Sequence, residues 1–166
     1  MAGPTRIEIS RAGTADLDTV LGILDEATIG LLEHGIPTVW KPGGFSRQTF
    51  LEQIQRGEAY LALVDKAAVG TFILQWSDVQ FWGEHPPDAG YVHKLAIKPA
   101  YSGRGIGVEM LKWAETAARN SGKKFLRLNC LAADRKTRDY YEKAGFIHVD
   151  DVAEPRGTAS LYEKPI

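Results

Sequence analysis

The chain has 166 residues, a formal net charge of −1 and a single cysteine, with 44% hydrophobic and 25% charged residues. This length and composition predict one soluble globular domain over residues 1–166. The near-neutral charge argues against a nucleic-acid partner, which would favour a basic face. No stretch approaches the roughly 20 apolar residues that cross a bilayer, and the N-terminus lacks an apolar signal segment, so we expect a cytoplasmic protein with no membrane partner.

Hydrophobic periodicity predicts a mixed α/β fold. We expect a first strand at 7–10, helices at 14–35 and 46–56, and a hairpin of strands at 59–64 and 69–76. After an irregular loop at 77–90 we expect a strand at 92–97 and a helix at 106–120. The remaining elements are a strand at 125–129, a helix at 135–143 and strands at 146–150 and 159–163. This order is not that of a regular doubly wound sheet.

The segment from Tyr91 to Gly107 joins a predicted strand to a predicted helix through a proline and alternating glycines. Gly103, Gly105 and Gly107 have no Cβ, so their backbone can come close to a ligand. The first N–H groups of the following helix have no intrahelical partner, and they lie at the positive end of its dipole. This turn predicts an anion site suited to a pyrophosphate, although a plain tight turn has the same composition.

The glycine spacing matches neither the P-loop pattern nor the G-x-G-x-x-G dinucleotide fingerprint. A second signal lies further along the chain, where Asp134 to Phe146 reads DRKTRDYYEKAGF. Together with Leu95-Ala-Ile-Lys-Pro99 and Ser102-Gly-Arg-Gly-Ile-Gly107, this segment resembles the motifs of the GNAT superfamily of acyl-CoA-dependent N-acetyltransferases. The resemblance covers the second half of the chain strongly and the first half only through the order of its elements.

The resemblance implies a GNAT-like α/β fold, in which a mostly antiparallel sheet of about seven strands carries about four helices. It implies that acetyl-CoA is the cosubstrate, with its pyrophosphate on the backbone from Gly103 to Val108. The pantetheine arm would pair with the strand from Leu95 to Ile97. The residues implied in cofactor binding are Leu95, Ala96, Ile97, Ser102, Gly103, Arg104, Gly105, Ile106, Gly107, Val108, Asp134 and Tyr140.

Three positions depart from the family pattern. Ser102 replaces Arg or Gln, Asp134 replaces the Asn that contacts pantetheine, and Thr137 replaces Ala. Ser102 leaves the backbone amides in place, and Arg104 could still supply positive charge. Asp134 is the larger change, because a carboxylate accepts hydrogen bonds but cannot donate them as Asn does.

Direct transfer of an acetyl group from a thioester to an amine makes three demands. The attacking amine must be neutral, the oxyanion must be stabilised and the departing thiolate must be protonated. A main-chain N–H near Leu95 could stabilise the oxyanion. Tyr141 stands at the family position for the general acid, and a phenol with a pKa near 10 is a reasonable proton donor to a thiolate. The alternative role for Tyr141 is packing.

The identity of the general base stays open. His93 alternates with Tyr91 and Leu95 on one strand face, and its ordinary pKa suits proton uptake near pH 7. A hydrogen-bonded structural histidine is an equally good interpretation. A water relay could take the proton instead, or, less favourably, Glu84 or His85 from the long loop.

Aromatic and acidic residues near the long loop favour a small-molecule amine as acceptor, because a cationic amine binds well against ring faces. A solvated acidic loop is the alternative. The four histidines show no ligand spacing, so we expect no metal site. Cys130 has no clearly paired basic neighbour, and we expect it to pack as a small apolar residue.

Two rival functions fit parts of the pattern. One is a non-catalytic acyl-CoA-binding module, which the changes at Ser102 and Asp134 allow and Tyr141 opposes. The other is a nucleotide-binding α/β domain unrelated to CoA. The absence of the P-loop and dinucleotide-binding patterns disfavours it. The sequence does not name the acceptor, and it is compatible with a homodimer.

Overall fold

The structure is a computed structural model that describes residues 6–166. The strands are β1 (Ile7–Arg11), β2 (Ala59–Val64), β3 (Ala67–Gln75), β4 (Ala89–Ile97), β5 (Phe125–Leu131), β6 (Ile147–Val152) and β7 (Ala159–Pro165). The helices are α1 (Leu17–Glu33), α2 (Arg47–Gln55), α3 (Val79–Trp82), α4 (Ile106–Asn120) and α5 (Arg135–Lys143). Short 3-10 turns lie at Thr14–Asp16 and Pro99–Tyr101.

The strands form one seven-stranded sheet in the order β1-β2-β3-β4-β5-β7-β6. Strands β4 and β5 pair in parallel. The pairings β1–β2, β2–β3, β5–β7 and β6–β7 are antiparallel. The predicted mixed, mostly antiparallel sheet is therefore confirmed, as are the four longer helices.

Helix α3 lies inside the segment predicted to be an irregular loop. It is a single turn that begins after Asp78, whose side chain accepts a hydrogen bond from the Phe81 N–H at 3.3 Å. A helix of four residues is too short to show the apolar periodicity on which a sequence prediction depends. The loop prediction at 77–90 was wrong there for that reason.

The described chain divides into two compact units. Unit 1 runs from the first described residue to Gly30 and also contains Trp40–Ile73 and Lys94–Trp113. Unit 2 contains Leu31–Val39, Leu74–His93 and Ala114–Ile166. The expectation of one domain over residues 1–166 stays a prediction.

Unit 1 has an apolar core formed by α1, α2 and strand residues. Apolar side chains at helical spacing along α1 pack with those of α2 and of strands β2 and β3; they include Leu17, Val20, Leu24, Phe50, Ile54, Leu61 and Ile73. Ser46 caps α2 by accepting a hydrogen bond from the Thr49 N–H at 3.2 Å, as predicted. Burial of one apolar helix face against strands holds these elements together.

Unit 2 has a smaller apolar cluster in which Trp82, Ala89, Tyr91 and Leu161 are buried. The cluster borders a buried cation, Arg127 of β5, whose guanidinium lies 5.1 Å from the centre of the Trp82 ring. Among residues 6–166, no helix combines the length and apolar character that a bilayer span requires.

Candidate active site

The predicted pyrophosphate turn lies in unit 1, after β4 and before α4. Gly103 and Gly105 have φ angles of 75° and 76°, in the left-handed region that side chains other than glycine rarely adopt. A Cβ added at either position would meet no atom within 4 Å. Conformation rather than crowding therefore requires glycine here, and the space beside the turn is open.

The start of α4 supplies hydrogen-bond donors beside this open space. The Gly105 carbonyl accepts a hydrogen bond from the Glu109 N–H at 3.2 Å. The N–H groups of residues 106–108 precede that bond and have no carbonyl partner within the helix. Arg104 is exposed, with its guanidinium 5.0 Å from the Tyr101 ring. Free amides, the positive helix end and this charge fit an anionic group such as a pyrophosphate.

Strand β4, which precedes the turn, contains a backbone irregularity. Lys94 has a φ angle of 53°. A non-glycine residue held in this region stores about 1–3 kcal/mol of strain. The predicted shared face of His93 and Leu95 assumes regular alternation, and Lys94 interrupts that alternation between them. Tyr91 is buried, and its hydroxyl accepts a hydrogen bond from Arg127 at 2.8 Å, so its role is structural.

His93 faces a carboxylate in unit 2. Its Nε2 lies 3.3 Å from Oδ2 of Asp78, and the two side chains are 20% and 6% exposed. Asp78 is one of the acidic residues near the long loop that we expected either to suit a cationic amine or to face solvent, and its pairing with His93 was not predicted. The sequence does hold a signal for the position of Asp78: an Asp directly before a short apolar run is typical of a helix N-cap.

Tyr141 lies on α5 and is buried, with 7% of its surface exposed. Its ring centroid is 5.9 Å from that of Phe146 and 6.3 Å from that of Tyr162. Burial, together with nearby Cys130, raises the pKa of the Tyr141 phenol above its usual value. The hydroxyl therefore stays protonated throughout the neutral range, as a general acid must.

Asp134 and Thr137 together form the N-cap of α5. Oδ1 of Asp134 accepts a hydrogen bond from the Thr137 N–H at 3.0 Å, and Oδ2 accepts one from the Thr137 hydroxyl at 2.5 Å. Two of the departures from the family pattern thus satisfy each other. The contact of Asp134 with pantetheine stays a prediction, as does that of Tyr140, whose ring centroid lies 5.6 Å from that of Tyr141.

A cavity of about 290 Å³ opens within unit 2. Its lining comes from the end of β5, from Gln80 and Phe81 of α3, and from residues 154–158 between β6 and β7. The cavity lining includes one acidic residue, Glu154, and one basic residue, Arg156. The long loop at 77–90, which was expected to lie near the acceptor, supplies Gln80 and Phe81 to this cavity, whereas no sequence motif marks the β6–β7 connection.

Residues 27–146 match the sequence model of the acetyltransferase (GNAT) family. The chain belongs to the GNAT family. This confirms the family and the enzyme class predicted from the sequence, an acetyl-CoA-dependent N-acetyltransferase.

Two sequence relatives are consistent with this assignment, and a solved structure shares the fold. The chain is 27% identical over 99 residues to an uncharacterised N-acetyltransferase of Bacillus subtilis, a match that covers 56% of this chain and 54% of the relative, about half its length. It is 27% identical over 139 residues to an aminoalkylphosphonate N-acetyltransferase of Salmonella typhimurium, covering 84% of each chain. A PaiA N-acetyltransferase of Thermoplasma acidophilum in complex with coenzyme A shares the fold, with a TM-score of 0.78, 22% identity and coverage of 97% and 99% of the two chains.

Cys130 of this GNAT protein lies at the cavity and is half-buried. Burial, and next the carboxylate of Asp134, raise the pKa of its thiol from 9.0 to about 12. The thiolate is the nucleophilic form, so Cys130 is poorly suited to nucleophilic catalysis at neutral pH. Within the described residues, no group of three or more His, Cys, Asp or Glu side chains could hold a metal ion.

We expect iodoacetamide to alkylate Cys130 at pH 8 about a hundred- to a thousand-fold more slowly than glutathione, because so little thiolate is present. Mass spectrometry over time measures the rate. The rate should rise as the pH is raised towards 12, and the urea-unfolded chain should react as fast as glutathione. Alkylation of the folded protein at the glutathione rate would contradict the raised pKa.

Proposed function

We propose that this GNAT protein transfers the acetyl group of acetyl-CoA to the primary amine of a small molecule by direct attack. The observation that carries the proposal is the left-handed glycine turn, at Gly103 and Gly105, that ends at the open N-terminus of α4. Bound acetyl-CoA would supply the acetyl group as an activated thioester. The chain's own residues bind that cosubstrate, hold the acceptor and move protons.

In unit 1, the N–H groups of residues 106–108 and the charge of Arg104 bind the pyrophosphate. Main-chain groups of Leu95, Ala96 and Ile97 pair with the pantetheine arm, and an N–H of this strand stabilises the oxyanion. Apart from the charge of Arg104, these are backbone roles, so the replacement of the family's Arg or Gln by Ser102 leaves them intact.

In unit 2, Tyr141 donates a proton to the departing sulfur and His93 accepts one from the acceptor. Burial raises the pKa of the Tyr141 phenol and that of the nearby Cys130 thiol. Burial therefore acts in the same direction on a phenol and on a thiol, so a phenol of raised pKa can still donate a proton to a sulfur that leaves in similarly buried surroundings.

The cavity of unit 2 suggests the acceptor class. Glu154 can pair with the ammonium of the acceptor, and Arg156 can pair with an anionic group on the same molecule. The Salmonella typhimurium relative is named for aminoalkylphosphonates, which carry both groups. We therefore propose a small amine that also bears a carboxylate, phosphate or phosphonate.

Calorimetry with CoA, ATP and NAD, followed by thiol release from acetyl-CoA over an amine panel, tests the proposal. The panel pairs simple alkylamines with aminoalkylphosphonates and amino acids. We expect binding of CoA alone and the fastest release with amines that carry an anionic group. Absence of CoA binding would overturn the proposal. CoA binding without thiol release for any amine would favour the non-catalytic module.

Substituting Gly105 with Ala should weaken CoA binding about tenfold. Ala in the left-handed region costs roughly 1–2 kcal/mol, and its Cβ enters the space proposed for the pyrophosphate. Gly122, at the other end of α4, is a matched control, since it has a φ of 77° and no atom within 4 Å of an added Cβ. Calorimetry and urea unfolding separate the effects: both variants should lose stability, but only Gly105→Ala should lose CoA affinity. Equal CoA affinities would count against this turn as the binding site.

A further inference from the structure

Gly30 of α1 packs directly against Pro99, where the chain leaves β4; both residues belong to unit 1. A Cβ added to Gly30, which is buried, would lie 2.7 Å from Cγ of Pro99. Two carbon atoms in contact are about 3.5–4.0 Å apart. The proline ring is closed onto its own backbone nitrogen, so Cγ cannot swing away as the end of a flexible side chain does. Glycine at position 30 therefore lets α1 approach Pro99 this closely.

We infer that Gly30 is a positioning residue for CoA: by admitting Pro99 against α1, it fixes the connection from β4 to α4, residues 98–105, in the form that binds the pyrophosphate. The inference rests on the proposed function, which places the pyrophosphate at this connection. Gly30 acts through Pro99 rather than through contact with the cosubstrate. A turn already held in its binding conformation loses less conformational entropy when a ligand binds, so its affinity is higher.

Hydrogen bonds link Pro99 to the glycine turn. The Lys98 N–H donates to the Val69 carbonyl of β3 at 2.8 Å, which fixes the residue before Pro99. The Pro99 carbonyl accepts a hydrogen bond from the Ser102 N–H at 3.1 Å. Ser102 directly precedes Gly103, the first left-handed glycine of the turn. A displacement of Pro99 therefore moves the residues that lead into the pyrophosphate turn.

The packing of α1 opposes a movement of the helix away from Pro99. Ile23 and Leu24 are fully buried in the apolar core of unit 1. Thr28 is also buried, and its hydroxyl donates a hydrogen bond to the Leu24 carbonyl at 2.7 Å. Moving α1 outward would open gaps in this core, and protein interiors are packed too closely for that to be without cost. A methyl group at position 30 should therefore move Pro99 rather than the helix.

The far end of the connection is fixed as well. Helix α4 and strand β4 both approach β3 at Gly70, where an added Cβ would lie 3.1 Å from Sδ of Met110 and 3.2 Å from the Ala96 carbonyl oxygen. Met110 is itself fully buried. Because strand and helix are both held on β3, they cannot shift together to accommodate a displaced Pro99. The displacement is then confined to the connection itself.

The decisive comparison is between two alanine substitutions in the same helix. Gly30→Ala adds a methyl group against Pro99, whereas Gly22→Ala adds one where no atom lies within 4 Å. The polar atoms of glycine are all in the main chain, which alanine keeps, so neither substitution removes a hydrogen-bonding group. Both substitutions gain the same helix propensity. We expect calorimetry to show a CoA affinity about tenfold lower in Gly30→Ala and unchanged in Gly22→Ala.

Val20→Ala controls for a loss of stability alone. Val20 is fully buried in the core of unit 1, and its truncation leaves a cavity there. This variant should unfold at a lower urea concentration than the wild-type protein while its CoA affinity stays unchanged. Circular dichroism establishes that each variant is folded under the conditions of the binding measurement.

An exchange of volume between the two positions tests the contact itself. Pro99→Ala removes the ring and should weaken CoA binding, because a gap then separates α1 from the connection. In Gly30→Ala/Pro99→Ala, the new methyl group takes the place of the lost Cγ, so the double variant should bind CoA more tightly than Pro99→Ala does. This comparison decides the matter even where Gly30→Ala alone does not fold.

Three results would overturn the inference: a wild-type CoA affinity in folded Gly30→Ala, an equal loss of affinity in Val20→Ala, or a double variant that binds CoA no better than Pro99→Ala. Failure of the proposed function gives a different result. If the wild-type protein binds CoA but acetylates no amine, the proposed acetyl transfer fails, and the CoA affinities of the variants still decide the role of Gly30.

Discussion

Replacing Tyr141 with Phe is expected to lower kcat for acetyl transfer by about a hundred-fold or more while leaving CoA affinity unchanged. The substitution removes the proton donor but keeps the ring, whose neighbours are Phe146 and Tyr162. Steady-state thiol release gives kcat, and calorimetry with CoA gives the affinity. Because burial raises the pKa of Tyr141, its ionisation should not produce an alkaline limb near neutral pH in the wild-type protein.

Tyr162→Phe provides the comparison for a buried tyrosine with a structural role. The Tyr162 hydroxyl accepts a hydrogen bond from Arg138 and donates one to Glu142, both at 3.0 Å. Its loss should cost about 1–2 kcal/mol in the free energy of unfolding with little change in kcat. Tyr141→Phe should show the reverse pattern. If Tyr141→Phe retained wild-type kcat, the residue would be a packing residue and another group would protonate the sulfur.

Periodicity predicted most of the fold, because each long element repeats its apolar residues at a period set by its own backbone. The start of β4 was placed too late for a specific reason. Gly90 was the last residue of the predicted loop, yet it belongs to the strand, and a Cβ there would lie 3.1 Å from Trp76 and 3.2 Å from Ala118. Close packing, which only the folded chain reveals, leaves little room for a larger residue at this position.

In the candidate site, too, local features were predictable from the sequence and contacts between distant residues were not. Gly103 and Gly105 were predictable because the conformation they permit is a local property of the backbone. The pairing of Asp78 with His93 was not, because it joins a helix cap to a strand across intervening chain that carries no pattern linking them. The β6–β7 connection carries no motif, and its residues line the cavity only once the chain is folded.

Arg127→Met is expected to lower the free energy of unfolding by about 3 kcal/mol. The Arg127 side chain is 6% exposed, and its Nε donates to Glu163 at 2.7 Å. It also donates to the Tyr91 hydroxyl at 2.8 Å and lies beneath the Phe125 ring. Burial opposes its charge, but the hydrogen bonds to Glu163 and Tyr91 prevail and raise its pKa, so the guanidinium stays charged. Methionine would fill part of the volume and leave the half-buried Glu163 and Asp88 without their cation.

Urea unfolding followed by circular dichroism measures the loss, and Arg56→Met is the matched control. Arg56 also pairs with a glutamate, Glu58 at 3.0 Å, but its side chain is 53% exposed. Water screens such a pair, so its removal should cost far less stability than the loss of Arg127. Adding Glu163→Leu to Arg127→Met should restore part of the stability, because it removes a carboxylate that has lost its partner. Equal losses of unfolding free energy in the two arginine variants would show that burial does not strengthen the pairing of Arg127 with Glu163.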